Sequence, residues 1–235
     1  MRQKQTGFTL IEIAIVLVII GLLLGGVLKG QELITSARVR NLISQQDGVK
    51  AAFFGFQDRF RAFPGDYTGA VVNIANIDPA SPCNGGVGNG NGRIEGGALT
   101  ESVLAWEHLS KAGFITGTYT CAAAESATTT PVNPYGIYLQ LIYDGAYGNG
   151  AAAPRHNVKT GAQIPVELIS EMDRKIDDGN PNTGGFQFSA YQGQAAAAPT
   201  GGGGTAAPNC SSAADATGVW NTTNGEPNCG GASLL

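Results

Sequence analysis

Charge is scarce in this chain. Only 14% of its 235 residues are Asp, Glu, Lys or Arg, against roughly 25% in an average globular protein, which excludes a highly charged, solvated, disordered chain. Histidine is scarcer still, with His108 and His156 isolated in sequence from any suggestive partner. No G-x-S-x-G turn is present, and the glycine clusters lack the Lys-Ser/Thr that a phosphate-cradling loop requires. Catalysis has no support, and a non-enzymatic role is expected. The four cysteines contain no C-x-x-C pair, so zinc is not expected. Glycine and proline are plentiful, at 35 and 11 residues, yet stay below the roughly 25 to 30% that marks low-complexity sequence. With 43% hydrophobic residues the chain can fold around a core, with many turns.

The few charges are unevenly placed. Residues 1–61 carry eight Lys/Arg against four acids, and the remainder carries six against fourteen. A basic stem therefore precedes an acidic head. The field of that head repels phosphates, so nucleic-acid binding is disfavoured.

Between Ile13 and Leu28 charge disappears for sixteen residues. Phe8–Leu28 is 21 residues long, close to the roughly 20 that an α-helix needs to cross the hydrocarbon core. A soluble core helix would keep a polar stripe, whereas this run offers only apolar residues and glycines. A secretory signal would have a shorter apolar region and a small-residue cleavage site, which Leu24-Gly25-Gly26-Val27 fits poorly. A membrane segment is expected. Basic residues flank it on both sides, at Arg2 and Lys4 and at Lys29, Arg38 and Arg40, so charge alone does not orient it.

Glu12 interrupts the apolar pattern at its start. An acid inside a membrane helix must be protonated, reach the interface or meet a cation, and is a functional position by default. Phe8, Ile15 and Val16, one helical turn away, carry no positive side chain. A cut before Phe8 would create an α-amino group near that depth, on this or a neighbouring chain.

Lys4-Gln5-Thr6-Gly7 followed by Phe8-Thr9-Leu10-Ile11-Glu12 and the apolar run resembles the processing site of type IV prepilins and pseudopilins. The resemblance implies that a membrane peptidase cuts after Gly7 and methylates the new amino group of Phe8. It further implies that Glu12 pairs with the amino terminus of an adjacent subunit during filament assembly. An amino terminus on the cytoplasmic side and a periplasmic head are implied as well. The sequence departs from many major pilins in having Lys29 where a helix-kinking proline is common; Gly21, Gly25, Gly26 and Gly30 are expected to loosen the helix instead.

Downstream, Leu42, Val49, Phe53, Phe56, Phe60 and Phe63 recur at helical spacing and predict one apolar stripe that docks on a sheet. Pro64-Gly65-Asp66 then ends the helix. The predicted organisation is a leader over residues 1–7, a long helix over 8–63 with its membrane segment over 8–28, and a head over 64–235 whose tail, 193–235, is loop-rich with Trp220 as its apolar anchor. Within the head a helix is predicted from Glu101 to Ala112, capped by Thr100 and ended by Gly113. A second helix starts at Pro165 and runs to Ile176. Strands are predicted over Ile137–Tyr143 and Phe186–Tyr191. The fold class is α+β and pilin-like: a long amino-terminal helix packed on a small antiparallel sheet.

Cys83, Cys121, Cys210 and Cys229 are read as disulfides, because a periplasmic head lies in an oxidising compartment. Three connectivities are open, of which sequential pairing is expected. A Cys210–Cys229 bridge resembles the carboxy-terminal disulfide loop of many pilins. Two stretches invite a metal. Asn89-Gly90-Asn91-Gly92-Arg93-Ile94-Glu95 lacks the terminal acids of a calcium loop and is read as a turn. Asp177-Asp178-Gly179-Asn180 gathers oxygen donors after a helix, so calcium is considered at Asp177, Asp178 and Asn180, against a plain glycine cap and Asx turn.

The expected function is a structural subunit of a type IV pilus or pilus-like filament, stored in the bacterial inner membrane and polymerised into a periplasmic or surface filament. Its expected partners are copies of itself and other pilin-like subunits, the prepilin peptidase, the inner-membrane assembly platform and membrane lipid. A type II secretion pseudopilin or minor pilin is the alternative within that class. A single-span membrane protein with a ligand-binding head is the alternative outside it.

Overall fold

The computed structural model describes residues 10–97, 100–148, 153–202 and 209–235. Two compact units are present, one ending at Arg38 and the other comprising Val39–Leu235. Helix α1, Leu10–Phe60, runs unbroken through Gly21, Gly25, Gly26 and Gly30. Its residues up to Arg38 belong to the first unit, where the large apolar side chains from Leu10 to Ile34 are exposed.

From Val39 the same helix buries one face: Val39, Leu42, Gln46, Val49, Ala52, Phe53 and Phe56. Apart from the adjacent pair Ala52 and Phe53, steps of three and four place these residues on one stripe. The stripe belongs to the core of the second unit, so the helix is part of the head well before Phe63. The helix also closes at Phe60, short of Phe63. Arg61 takes a left-handed conformation, φ 54°, while its N–H still donates to the Gln57 carbonyl at 2.9 Å. Phe63 precedes Pro64, whose ring disfavours a helical residue before it. Released from the helix, Phe63 instead stacks on Phe53 with ring centroids 5.4 Å apart.

A four-residue helix, α2 (Ala70–Asn73), leads into the glycine-rich stretch. Helix α3, Glu101–Lys111, is almost entirely buried over its first nine residues. Thr100 occupies its N-cap position in a left-handed conformation, φ 53°, and its side chain makes no capping hydrogen bond. That corrects the cap expected for it. The four strands are β1 (Gln140–Asp144), β2 (Arg155–Lys159), β3 (Phe186–Phe188) and β4 (Gly231–Leu234), in the antiparallel order β1-β2-β4-β3. Helix α4, Val166–Ile176, follows Pro165 as predicted and contacts β3.

The strands are shorter than, or absent from, the sequence prediction. The expected strand over Ile137–Tyr143 is regular only from Gln140, preceded by an isolated bridge between Val132 and Tyr138. The expected Phe186–Tyr191 strand stops at Phe188. β2 and β4 were not predicted at all, and β4 corrects the reading of the tail as loop: Gly-Ala-Ser-Leu pairs with β2 on one side and β3 on the other. Gly231 is required there, since a Cβ on it would lie 2.2 Å from Cζ of Phe186.

The two largest apolar clusters among the described residues lie in the second unit. One gathers Val49, Phe53 and Phe56 with Trp106, Leu109, Leu139, Leu141 and Val158. The other gathers Val39 and Leu42 with Ile164, Ile169, Met172, Phe186, Trp220 and the Cys210–Cys229 pair. At about 1.5 to 3 kcal/mol per buried large side chain, the helix stripe contributes a substantial part of the head's stability.

Candidate functional site

Glu12 lies in the first described turn of α1, among exposed Leu10, Ile11, Ile13, Ile15 and Val16. Gly7 and Phe8, the expected cleavage and methylation positions, lie outside the described residues. This is the one helix among the described residues long and apolar enough to cross a membrane, judged by length and composition. None of its most apolar window is buried. Charge returns with Lys29, whose Nζ meets Glu32 Oε2 at 2.7 Å. Both side chains are about two-thirds exposed, and the pair contributes well under about 1 kcal/mol.

Residues 2–28 match a family model described as the prokaryotic N-terminal methylation motif. The chain carries a prepilin-type signal. The signal is that of type IV pilins and pseudopilins, and it covers the stretch on which the sequence resemblance was based. No curated protein and no solved structure matches the chain. Beyond this pilin-like segment, the head must be read from its own geometry.

Both cysteine pairs are sequential. Cys83 is bonded to Cys121 with Cα atoms 6.0 Å apart, and Cys210 to Cys229 at 5.7 Å. The first bridge packs against Val103 and Leu104 of α3. The second closes the tail immediately before β4, so a strand of small residues is tethered at its entry.

The Asn89–Glu95 stretch is a turn, as read, and the structure explains why it is ordered. Asp66 turns its carboxylate into the loop, where Oδ1 accepts the N–H groups of Gly90 and Asn91 at 2.6 and 3.1 Å and Oδ2 accepts that of Gly92 at 2.7 Å. Glu101 accepts the N–H groups of Asn89 and Glu95 at 2.9 and 3.0 Å. Burial pushes the Glu101 carboxyl up, and those two N–H groups oppose the shift. The loop is thus organised by the protein's own carboxylates.

Among the described residues, neither histidine forms a catalytic constellation with a nucleophile. His108 is fully buried; its Nδ1 accepts the Gly65 N–H at 3.0 Å, and Nε2 lies 3.1 Å from the Gly86 carbonyl, which fixes the tautomer with the proton on Nε2. Burial lowers its pKa to about 4. Gly65, at φ 87°, has no room for a side chain, because a Cβ would lie 2.3 Å from the Glu101 carbonyl. His156 packs between Phe63 and Tyr143, and burial likewise lowers its pKa to about 4.

At the end of α4 the exposed carboxylates of Asp177 and Asp178 come together with that of Asp173. Asn180 follows in the same turn, where its Oδ1 accepts the Asn182 N–H at 2.9 Å and its Nδ2 donates to the Ala216 carbonyl at 2.7 Å. Asp173 is fully buried, and its Oδ2 accepts the Trp220 indole N–H at 2.7 Å. Burial raises the Asp173 pKa to about 7; the Trp220 hydrogen bond opposes this, and Asp178 and Asp177 add to it. Asp173 and Asp177 are four apart, one helical turn, which is the signal that would have joined them in sequence.

Proposed function

We propose that this protein is the structural subunit of a type IV pilus or pilus-like filament. The observation that carries the reading is a prepilin-type signal over residues 2–28 running into a helix whose apolar side chains are exposed up to Ile34. Side chains of that kind need lipid or other helices around them, since a contiguous exposed apolar surface of this extent is not stable in water. In the proposed sequence of events the leader, residues 1–7, is removed by the prepilin peptidase and Phe8 is methylated. The mature chain is held in the inner membrane by residues 8–28, then passes to a filament through the assembly platform. The head, residues 64–235 with the buried stripe of α1, contributes a structural surface and no chemistry.

Glu12 has the assembly role in this reading. In lipid the acid must be neutralised or reach the interface. Between packed helices, where lipid and water are both excluded, a neighbour's new amino group is a strong partner for it. Glu12→Leu is expected to enter the membrane at least as well as the parent and to assemble poorly. Glu12→Gln, with nearly the same shape, is expected to fail similarly. Fractionation into membrane and sheared-filament pools reads both, with the amino terminus of each product determined by mass. An intact Met1 in the mature parent, or parental filament levels of a correctly cut Glu12→Leu, would sink the proposal and favour a resident single-span protein.

A further inference from the structure

We propose that the cleft between α1 and the segment that follows α3 binds an uncharged saccharide. Its volume is about 450 Å³, within the roughly 300 to 1,000 Å³ of ligand-binding clefts. Gln45, Gly48 and Val49 line it from α1, Phe114 and Tyr119 from the segment after α3, and Trp106, 1% exposed, from α3 itself. All of these residues belong to the second unit.

The chemistry of the lining selects the occupant. Residues 62–235 carry fourteen acids and six Lys/Arg, yet no charged side chain lines the cleft. An ionic ligand would give up its hydration there with no counter-charge in return. The polar groups are all neutral. Ser44, Thr116 and Tyr119 bring hydroxyls that make no hydrogen bond among the described residues. Gln45 donates Nε2 to the Val132 carbonyl at 2.7 Å, which fixes its amide, and the remaining Oε1 has no donor among the described residues. An acceptor in that condition calls for a donor such as a hydroxyl. A sugar ring supplies hydroxyls at its edge and a face of C–H groups, whose partial positive charge suits the negative face of an aromatic ring. A purely apolar occupant would leave the Gln45 oxygen and the hydroxyls unpaired.

The cleft is built before any ligand arrives. Phe114 packs edge-on against Phe56 with ring centroids 6.0 Å apart. Tyr119 lies two residues before Cys121, whose bridge to Cys83 anchors the segment, and its N–H donates to Ser110 Oγ at 3.4 Å. Position 48 is the independent sign of use. Glycine is disfavoured inside a helix, and no contact within the chain requires it there, since a Cβ would meet no atom within 4 Å. Its missing side chain leaves the cleft open along α1. The inference concerns the head alone and stands whether or not the chain enters a filament.

The test titrates the full chain, in a detergent without a sugar headgroup, with neutral oligosaccharides of glucose, mannose, galactose and N-acetylglucosamine, and with sialyllactose against lactose as the acidic comparison. Indole fluorescence reads binding, because Trp106 lines the cleft, and calorimetry checks it. At least one neutral saccharide is expected to bind, and sialyllactose no better than lactose. Gly48→Leu, which fills the open space, is expected to weaken that binding at least about tenfold without lowering the melting temperature of the head, since leucine favours a helix. Tyr119→Ala is expected to weaken it similarly, whereas Tyr119→Phe keeps the ring and retains more of it. No saccharide bound at about 10 mM, a preference for sialyllactose, or equal affinity in parent and Gly48→Leu would overturn the assignment. A hydrophobic dye bound in the cleft with no saccharide response would overturn it in favour of an apolar occupant.

Discussion

One helix serves two different purposes on either side of Arg38. Up to Ile34 its apolar residues are exposed on all faces, Leu22 at 73% among them, whereas from Val39 a single stripe is buried and Phe56 is 0% exposed. Composition and pattern both distinguish the two purposes, since Ile13–Leu28 carries no charge while Arg40, Asp47, Lys50, Asp58 and Arg59 follow Val39. An apolar surface all around a helix requires an apolar surrounding, while a stripe requires only one packed partner face. The first region is therefore incomplete without lipid or other helices, and the second is completed by its own sheet and loops.

The comparison breaks most severely where the stripe is cut. Phe56 packs against Phe60, Tyr67, Phe114 and His108, so Phe56→Ala is expected to destabilise the head by about 3 to 5 kcal/mol. Phe54, half exposed on the same helix, is expected to cost less than about 1 kcal/mol on the same change. Thermal unfolding of the full chain in detergent measures both, and equal losses would show that the stripe is not the core.

Next in size is the tail bridge. Replacing Cys210 and Cys229 with serine is expected to destabilise the head by about 2 to 4 kcal/mol, and hydrogen exchange is expected to rise in β4 before it rises in β1. Uniform exchange would mean that β4 does not depend on its tether. A charge in the first region sharpens the contrast from the other side: Leu22→Arg is expected to reduce membrane insertion by about 2.5 to 3.5 kcal/mol. Val72→Arg, at a head position 87% exposed, is expected to stay within about 0.5 kcal/mol in head stability. A Leu22→Arg chain retained in membranes at the parental level would argue against a spanning segment.

The last expected effect depends on pH. His108 titrates at about 4 in the folded head, against 6.5 as the ordinary value. The unfolded chain therefore binds the extra proton between those values, and the contribution of neutral His108 is lost as pH falls through that window. The stability advantage of the parent over His108→Gln is expected to shrink by about 2 kcal/mol between about pH 7 and about pH 5. A constant gap in denaturant titrations would mean that His108 is not held neutral.

Legibility followed the range of the interactions. The apolar run, the helical phenylalanine spacing and the Pro165 start of α4 are local patterns, and each appears in the structure close to where its residues place it. β4 was illegible because Gly231 and Ala232 carry no strand preference; they are selected by the room beside Phe186 and by pairing with strands far away in sequence. Thr100 has the right chemistry for a cap but the wrong backbone conformation, φ 53°. Asp173 is not singled out by the sequence, although it stands one helical turn before Asp177, because its burial and its bond to Trp220 depend on a residue 47 positions away.

The sequence by itself determined that the chain begins with a prepilin-type signal and an apolar helix, because cleavage signals and hydrophobic periodicity are written in consecutive residues. It also determined that the head contains helices after Thr100 and Pro165. Only the tertiary structure decided the sheet order, the burial of Asp173 against Trp220 and the place of the last residues as an interior strand. Those outcomes depend on which distant side chains meet and on what burial does to a carboxylate or a glycine, and neither is encoded in the spacing of neighbours.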